Sequence, residues 1–322
     1  MTAIVPAEHA ILHRVLDADC EIANAGLLRQ AYGRLDAAEM KTAWARVHQQ
    51  RLALMEGPEL LASATRYRMA GVFDKRPVRI CGVGAVCDDP LHRSSGHAQA
   101  LVEQLLEEAA QDGADLALLF SPMDPAWCAQ NGFERVPITQ VEISVAQSPR
   151  HGAPMTLVRS GEERDLAAIV AMGQARAAPF RFHLERDIDF VKHAITRKRL
   201  LAGFGSPEAR QLQFFIAEEG ITAAAYVVVS VVGSVWTIEE CGDRDPSGAR
   251  VGAILQALIA REPVESRPSI GGWLPSGFVP PQITIVSAKP SEETVMMRAL
   301  QFPMVGPQLS GNDVLYWRGD TF

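Results

Sequence analysis

Between Val78 and Phe120 the spacing of apolar residues changes period twice. Val78 to Cys87 is an apolar, β-branched run rich in Gly, which predicts a strand. Asp88 to Ser95 is a polar loop holding Pro90 and Arg93. Ala98, Leu101, Val102, Leu105 and Ala109 then recur at helical spacing, with Glu103, Glu107, Glu108 and Asp112 on the other side. Gly113 is placed to stop this helix. Leu116 to Phe120 predicts the next strand. The segment reads strand–loop–helix–strand, with the loop at the helix N-terminus.

The flanking chain reads as follows. Residues 7–56 predict mostly helix: Ile11, Val15, Ile22, Leu27, Leu28, Tyr32 and Leu35 share one face. Asp36 is placed to cap a second helix running through Trp44, Val47 and Leu54. Leu60 to Val72 predicts a strand, turned at Asp74–Lys75 into the strand at Val78. Val141 to Val145 is expected as the last strand of the first half, followed by a linker over Gln147 to Pro154. In the second half, Phe214–Ala217 and Ala223–Val232 predict a hairpin around Glu219–Gly220. Val235–Glu240 predicts the counterpart of Val78–Cys87. Ile283–Ser287 and Val314–Trp317 are expected as closing strands.

The loop has a readable chemistry. Backbone N–H groups at a helix start lack intrahelical partners, and the helix dipole makes that end positive, so it suits a phosphate. Gly96 allows close approach to the backbone. Arg93 offers a guanidinium, and Ser94 and Ser95 offer hydroxyl donors. The first turn carries no Asp or Glu, which predicts a site kept free for an external anion. His92 and His97 read as surface residues or proton acceptors, and Asp88 and Asp89 as caps or amine-attracting acids.

Pro90–Leu91–His92–Arg93–Ser94–Ser95–Gly96–His97–Ala98 resembles the P-x-x-R-x-x-G-x-A signature of the GCN5-related N-acetyltransferase (GNAT) superfamily. Asn131–Gly132–Phe133 resembles its x-Y-x-x-x-G-F segment. The likeness spans roughly Glu59 to Val145, and the order of parts is similar to tandem-domain members, such as the enhanced intracellular survival and fungal lysine acetyltransferases. It implies that acetyl-coenzyme A is bound with its pyrophosphate on Arg93, Ser94, Ser95, Gly96, His97 and Ala98. Its pantetheine arm would lie beside Val86 and Cys87, and its thioester near Trp127. The family commonly places a proton-donating Tyr four residues before the motif Gly; here Cys128 stands there. A thiol, with an ordinary pKa of about 8.5 against about 10 for Tyr, can donate a proton, and it equally suits a small buried hydrophobe.

Thr156 to Leu166 has the form of a second domain opening. The expected fold class is α/β (α+β): two tandem GNAT-like domains, 1–147 and 155–322, each a mixed, mostly antiparallel twisted sheet flanked by helices. Aligning Ser247–Gly248 on Ser95–Gly96 puts Asp245 in the place of Arg93. A carboxylate facing a pyrophosphate is repulsive, so the second copy is expected to have lost the cofactor, leaving packing, dimerisation or a wall of the substrate site as its uses. Glu239 and Glu240 read as substrate-facing acids or as edge charges.

Composition narrows the field. The chain of 322 residues has 38 acids and 31 bases, net charge −7, which argues against a general nucleic-acid surface. No run is long enough for a membrane span, and no signal-peptide pattern opens the chain. Cys20, Cys81, Cys87, Cys128 and Cys241 are scattered, with no C-x-x-C pair, which predicts a reduced, cytoplasmic protein without a zinc site. The resemblance implies transfer of an acetyl group to an amine (a small molecule, amino acid or peptide) by direct attack. The alternatives are a coenzyme A-binding sensor or partner protein without turnover, and a scaffold binding no cofactor.

Overall fold

The computed structural model describes residues 2–7, 11, 14–15, 37–92, 95–121, 125–146, 157–203, 211–292, 294–301 and 309–321. In chain order the elements are β1 Thr2–Pro6, α1 Ala43–His48, β2 Gln49–Glu56, β3 Glu59–Phe73, β4 Arg76–Asp88, α2 His97–Gln111, β5 Leu116–Ser121, α3 Pro125–Gln130 and β6 Glu134–Val136. There follow β7 Thr139–Val145, β8 Leu157–Ser160, α4 Leu166–Ala177, β9 Phe182–Leu184, α5 Ile188–Gly203, β10 Gln211–Glu219, β11 Thr222–Val232 and β12 Val235–Asp243. The chain closes with α6 Ala249–Ile259, β13 Ser269–Gly272, β14 Ile283–Pro290, β15 Thr294–Ala299 and β16 Val314–Leu315. Two compact units result: Met1–Val136 with Glu293–Gln308, and Pro137–Glu292 with Leu309–Thr321.

The first unit is built on strands in the order β1-β2-β3-β4-β5-β15-β6. Its long hairpin β3–β4 turns at Asp74 and Lys75, both at positive φ (47° and 63°). Helix α2 lays Leu101, Val102, Leu105, Leu106 and Ala109 onto a core with Leu52, Leu54, Ala64, Val83, Ala117 and Leu119. Its far end closes as the sequence predicts: Gly113 (φ 85°) donates to Ala110 O and Ala114 N–H to Ala109 O, the pattern of a glycine-terminated helix.

The N-terminal prediction needs correcting. The helix through Trp44 stops at His48, and Leu54 lies in β2, paired antiparallel with β3 from Gln49↔Tyr67 to Glu56↔Glu59. Leu52, Ala53, Leu54 and Met55 suit either state, and pairing with the long β3 decides for strand. The expected cap Asp36, and the apolar face from Ile22 to Leu35, lie outside the described residues. Thr42 is the observed cap, accepting from Ala45 N–H at 3.3 Å.

The second unit has strands in the order β14-β7-β13-β12-β11-β10-β8. In each of these two strand orders one parallel pair, β4–β5 or β12–β13, stands among antiparallel neighbours. The two orders match once one strand is exchanged. Strand β7, expected to close the first half, pairs with β13 and β14 of the second unit. Strand β15, from the second half, pairs with β5 and β6 of the first. Val141 and Ile143 thereby join the apolar core with Trp236, Ile254 and Leu255, and Met296 joins the core beside α2. The segment Val314–Leu315 pairs with β9, parallel, rather than closing the sheet.

Candidate functional site

The centre of the first unit is a gap between parallel strands. β4 and β5 pair only from Ile80↔Leu116 to Val83↔Leu119. Beyond that, Phe120 and Ser121 follow β15 instead. Among the described residues no strand pairs with the edge of Gly84 to Asp88 that β5 leaves. A bulge marks the parting point. Ser63 faces Cys87 and Thr65 faces Gly84, so two residues of β4, Ala85 and Val86, oppose Ala64 alone. Ala85 takes φ 46°, a left-handed backbone rarely adopted by alanine. Ala85 is exposed, Val86 half-buried and Cys87 buried. Cys87 Sγ lies 3.0 Å from Ser63 Oγ. On the same strand, burial pushes the Cys81 thiol up to about 12, which keeps it inert at neutral pH.

The gap opens at the start of α2. Gly96, at φ 78° and ψ 12°, is the helix cap, and a Cβ added there would meet nothing within 4 Å. The first turn of α2 carries no Asp or Glu, as the sequence predicts, but Asp88 reaches across the loop from β4 and accepts the Ala98 N–H at 2.7 Å. Asp89 caps the loop's own turn, accepting from Leu91 N–H at 2.9 Å. His92 contacts Glu59 Oε1 at 2.9 Å, and the His97 ring meets the His92 ring edge-on at 6.0 Å. Ser95 and His97 flank Gly96 at the loop mouth. Arg93 and Ser94 lie outside the described residues, and of Trp127 only the helical backbone in α3 is described.

The Asn131–Gly132–Phe133 signal has a structural cause. Gly132 (φ 71°) ends α3 in the left-handed state. Its N–H donates to Ala129 O at 3.0 Å and Phe133 N–H to Cys128 O at 2.9 Å, a helix-terminating pair of bonds. Cys128 is therefore fixed by its own carbonyl. Its side chain is 1% exposed, in the core cluster that holds Leu101, Leu105, Phe133 and Met296.

The second unit repeats the arrangement and fills it. Gly248 caps α6 at φ 72°, and Asp243 accepts the Arg250 N–H at 2.8 Å, as Asp88 does for Ala98. A Cβ on Gly248, however, would come within 2.5 Å of Phe278 and 3.0 Å of Pro280. Asp245 accepts the Ser247 N–H at 2.9 Å, and that bond holds its carboxyl below the usual carboxylate range. Glu239 and Glu240 lie inside β12, which runs on to Asp243, rather than at its end, and each is 1% exposed, so neither faces solvent as an edge charge. Glu239 binds Arg318 at 2.7 Å, Lys198 at 3.2 Å and Ser230 Oγ at 2.6 Å. Burial pushes the Glu239 carboxyl up, but Lys198 and Arg318 outweigh it and hold it low. Glu240 binds Arg186 at 2.5 Å and the Tyr226 hydroxyl at 2.7 Å.

The sequence offers Asp88 as a cap of the turn but not of the helix ten residues on, and it does not point to Phe278 as a plug, because each acts across a chain separation that periodicity does not report. Among the described residues no helix is long and apolar enough to cross a membrane, and no group of three or more metal-ligating side chains forms.

Known proteins fit this geometry. Residues 14–136 match the family model of the acetyltransferase (GNAT) domain. No curated protein matches the sequence. A GCN5-related N-acetyltransferase from Kribbella flavida superposes with TM-score 0.65 at 16% identity, over 93% of this chain and 71% of that one. Eis1 from Mycobacterium abscessus gives 0.59 at 15%, over 93% and 74%. Saccharomyces cerevisiae N-myristoyltransferase, with bound myristoyl-CoA, gives 0.54 at 8%, over 92% and 78%. The chain thus has the fold that these solved structures share, and the GNAT family model covers residues 14–136 of it. The resemblance read from Pro90–Ala98 to the GNAT superfamily is borne out.

Proposed function

We propose that the first unit binds acetyl-coenzyme A and passes the acetyl group to an amine. The observation carrying this reading is the parting of β4 from β5 beyond Val83, which leads to a glycine cap with open space above it. An extended pantetheine arm suits the free edge of β4 at Val86 and Cys87, where it would pair as an added strand. The pyrophosphate is assigned to Arg93, Ser94, Ser95, Gly96, His97 and Ala98. Because Asp88 holds the Ala98 N–H, Ala98 serves by its small side chain rather than as a donor. Trp127 is assigned to the thioester end.

Bound there, acetyl-coenzyme A supplies an activated carbonyl. An unprotonated amine attacks that carbon, and the C–S bond breaks. Backbone N–H groups at the Ala85–Val86 bulge, where the ladder is interrupted, are suited to stabilise the carbonyl oxygen. Cys128 is the assigned proton donor to the departing sulfur, and water accepts the proton from the amine. We read residues 1–147 and 155–322 as two domains that lend each other a strand. The second has lost the cofactor, since Phe278 and Pro280 occupy the space over Gly248. The acceptor is a small-molecule, amino-acid or peptide amine, and the setting is cytoplasmic.

A second reading, coenzyme A binding without turnover, is favoured by one observation: the residue in the proton-donor position is a thiol enclosed in the core. Thioester consumption with a panel of amines separates the two.

The test is a thermal-shift titration with acetyl-coenzyme A on wild type, Arg93→Ala and Asp245→Ala. At 100 times the dissociation constant the ligand should stabilise the folded state by about 2.7 kcal/mol. Wild type and Asp245→Ala shift and Arg93→Ala does not, if the first unit is the site. No shift in wild type overturns the reading.

A further inference from the structure

The second unit carries a cleft of about 390 Å³ that acetyl transfer does not use. Arg176, Phe180, Arg244, Pro246, Ser276 and Asn312 line it. Arg176 lies with its guanidinium 4.1 Å from the centre of the Phe278 ring and donates to Pro246 O at 3.2 Å. Arg244 donates to Thr222 Oγ1 at 3.3 Å. Among the described residues neither forms an ion pair. One acid, Asp243, also lines the cleft, but its side chain is fully enclosed and bound to Arg250 Nη1 at 3.0 Å, to the Arg250 N–H and to the Asp245 N–H. Burial lowers the Arg176 pKa in spite of Asp243, so the charge is under-compensated where it sits. Ser276 donates to Asn312 Oδ1, which leaves the Asn312 amide nitrogen as a further donor at the cleft wall.

Two guanidinium groups without carboxylate partners, beside an aromatic wall and an amide donor, match one chemistry. Planar forks bind oxyanions bidentately, and a half-buried one gains most from a counter-charge. We propose that this cleft binds a small organic oxyanion, a carboxylate or a phosphate ester, with its oxygens on Arg176 and Arg244 and its apolar body along Phe180. The site is separate from the acetyl-coenzyme A site and does not depend on it.

Calorimetric titration of the full chain at low salt tests this with four probes: acetate, benzoate, inorganic phosphate and phenyl phosphate. Benzoate or phenyl phosphate should bind more tightly than the corresponding ion without a ring. Which of the two binds better separates a carboxylate from a phosphate ester. Arg176→Gln and Arg244→Gln should each weaken binding about tenfold, the loss of one charged hydrogen bond, while Arg93→Ala leaves it unchanged. Arg244 is exposed, so Arg244→Gln decides the matter should Arg176→Gln fold poorly. The proposal is overturned if no probe binds in the millimolar range, if both substitutions leave affinity intact, or if only Arg93→Ala abolishes it.

Discussion

Asp88, the last residue of β4, accepts the backbone N–H of Ala98 at 2.7 Å and so caps α2 from ten residues upstream. The cap residue itself, Gly96, has no side chain to do this. The negative charge also faces the positive end of the helix. Asp88→Ala should therefore lower the unfolding free energy by about 1–2 kcal/mol, read as a lower urea midpoint at unchanged slope. Acetyl-coenzyme A should bind the variant at least as tightly, because a negative charge has left the loop. An unchanged midpoint would remove Asp88 from the capping role.

Gly96 and Gly248 share a left-handed backbone and differ in what lies above them. Gly96→Ala meets open space, so its stability cost is the backbone strain alone, about 1–2 kcal/mol. Its effect on acetyl-coenzyme A should be larger, at least tenfold in Kd, since the new methyl group stands where the pyrophosphate is assigned. Gly248→Ala drives a methyl into Phe278 and adds overpacking of about 1–3 kcal/mol, yet should leave acetyl-coenzyme A affinity alone. Equal effects of the two substitutions on affinity would undo the assignment of the cofactor to the first unit.

Much of this site was legible in the chain, and the misses share a cause. The run from Val78 to Phe120 announced its strand, loop, helix and strand because each carries its own period and its own stop signal, and Gly113 and Gly132 sit where helices end. Strand β2 was read as helix because Leu52 to Met55 suit both states and only β3 chooses. The exchange of β7 and β15 has no local signature: both are ordinary strands whose partners are set by distant segments. Ala85 gives no hint of its left-handed backbone, which the pairing of Ser63 with Cys87 and Thr65 with Gly84 imposes. Glu239 and Glu240 look like edge charges until Arg186, Lys198 and Arg318 arrive from elsewhere in the chain.

The role proposed for Cys128 is what would separate turnover from mere binding. As proton donor, its replacement in Cys128→Ala should lower kcat about a hundredfold and leave the Kd for acetyl-coenzyme A unchanged. The thiol is enclosed, so the same change costs stability through the cavity it leaves. Comparing single-turnover rates at saturating acetyl-coenzyme A, below the melting range of the variant, isolates the chemical step. A rate equal to wild type would assign Cys128 to packing with Phe133 and Met296 alone.

Asp320 predicts a pH dependence that belongs to the second unit. Its carboxylate lies 3.0 Å from Arg186 Nε, and the same guanidinium binds Glu240, which also accepts from Tyr226. Two acids thus share one cation in a site closed to water. Burial pushes the Asp320 carboxyl up to about 7, with Glu240 adding to the rise and Arg186 only partly offsetting it. The unfolded chain would release this proton near its ordinary value of 3.8. Between about pH 4 and 7 the folded state therefore holds a proton that the unfolded state does not. The stability it brings is complete below that window and is lost as pH rises through 7. His193 runs the other way: burial, aided by Arg197, lowers it to about 3, so folding loses stability as pH falls below the ordinary histidine range. The difference between wild type and Asp320→Asn cancels His193 and isolates Asp320. Urea midpoints taken from pH 5 to pH 8 should show wild type losing stability relative to Asp320→Asn as pH rises. A constant difference across that range would mean that Asp320 is ionised throughout.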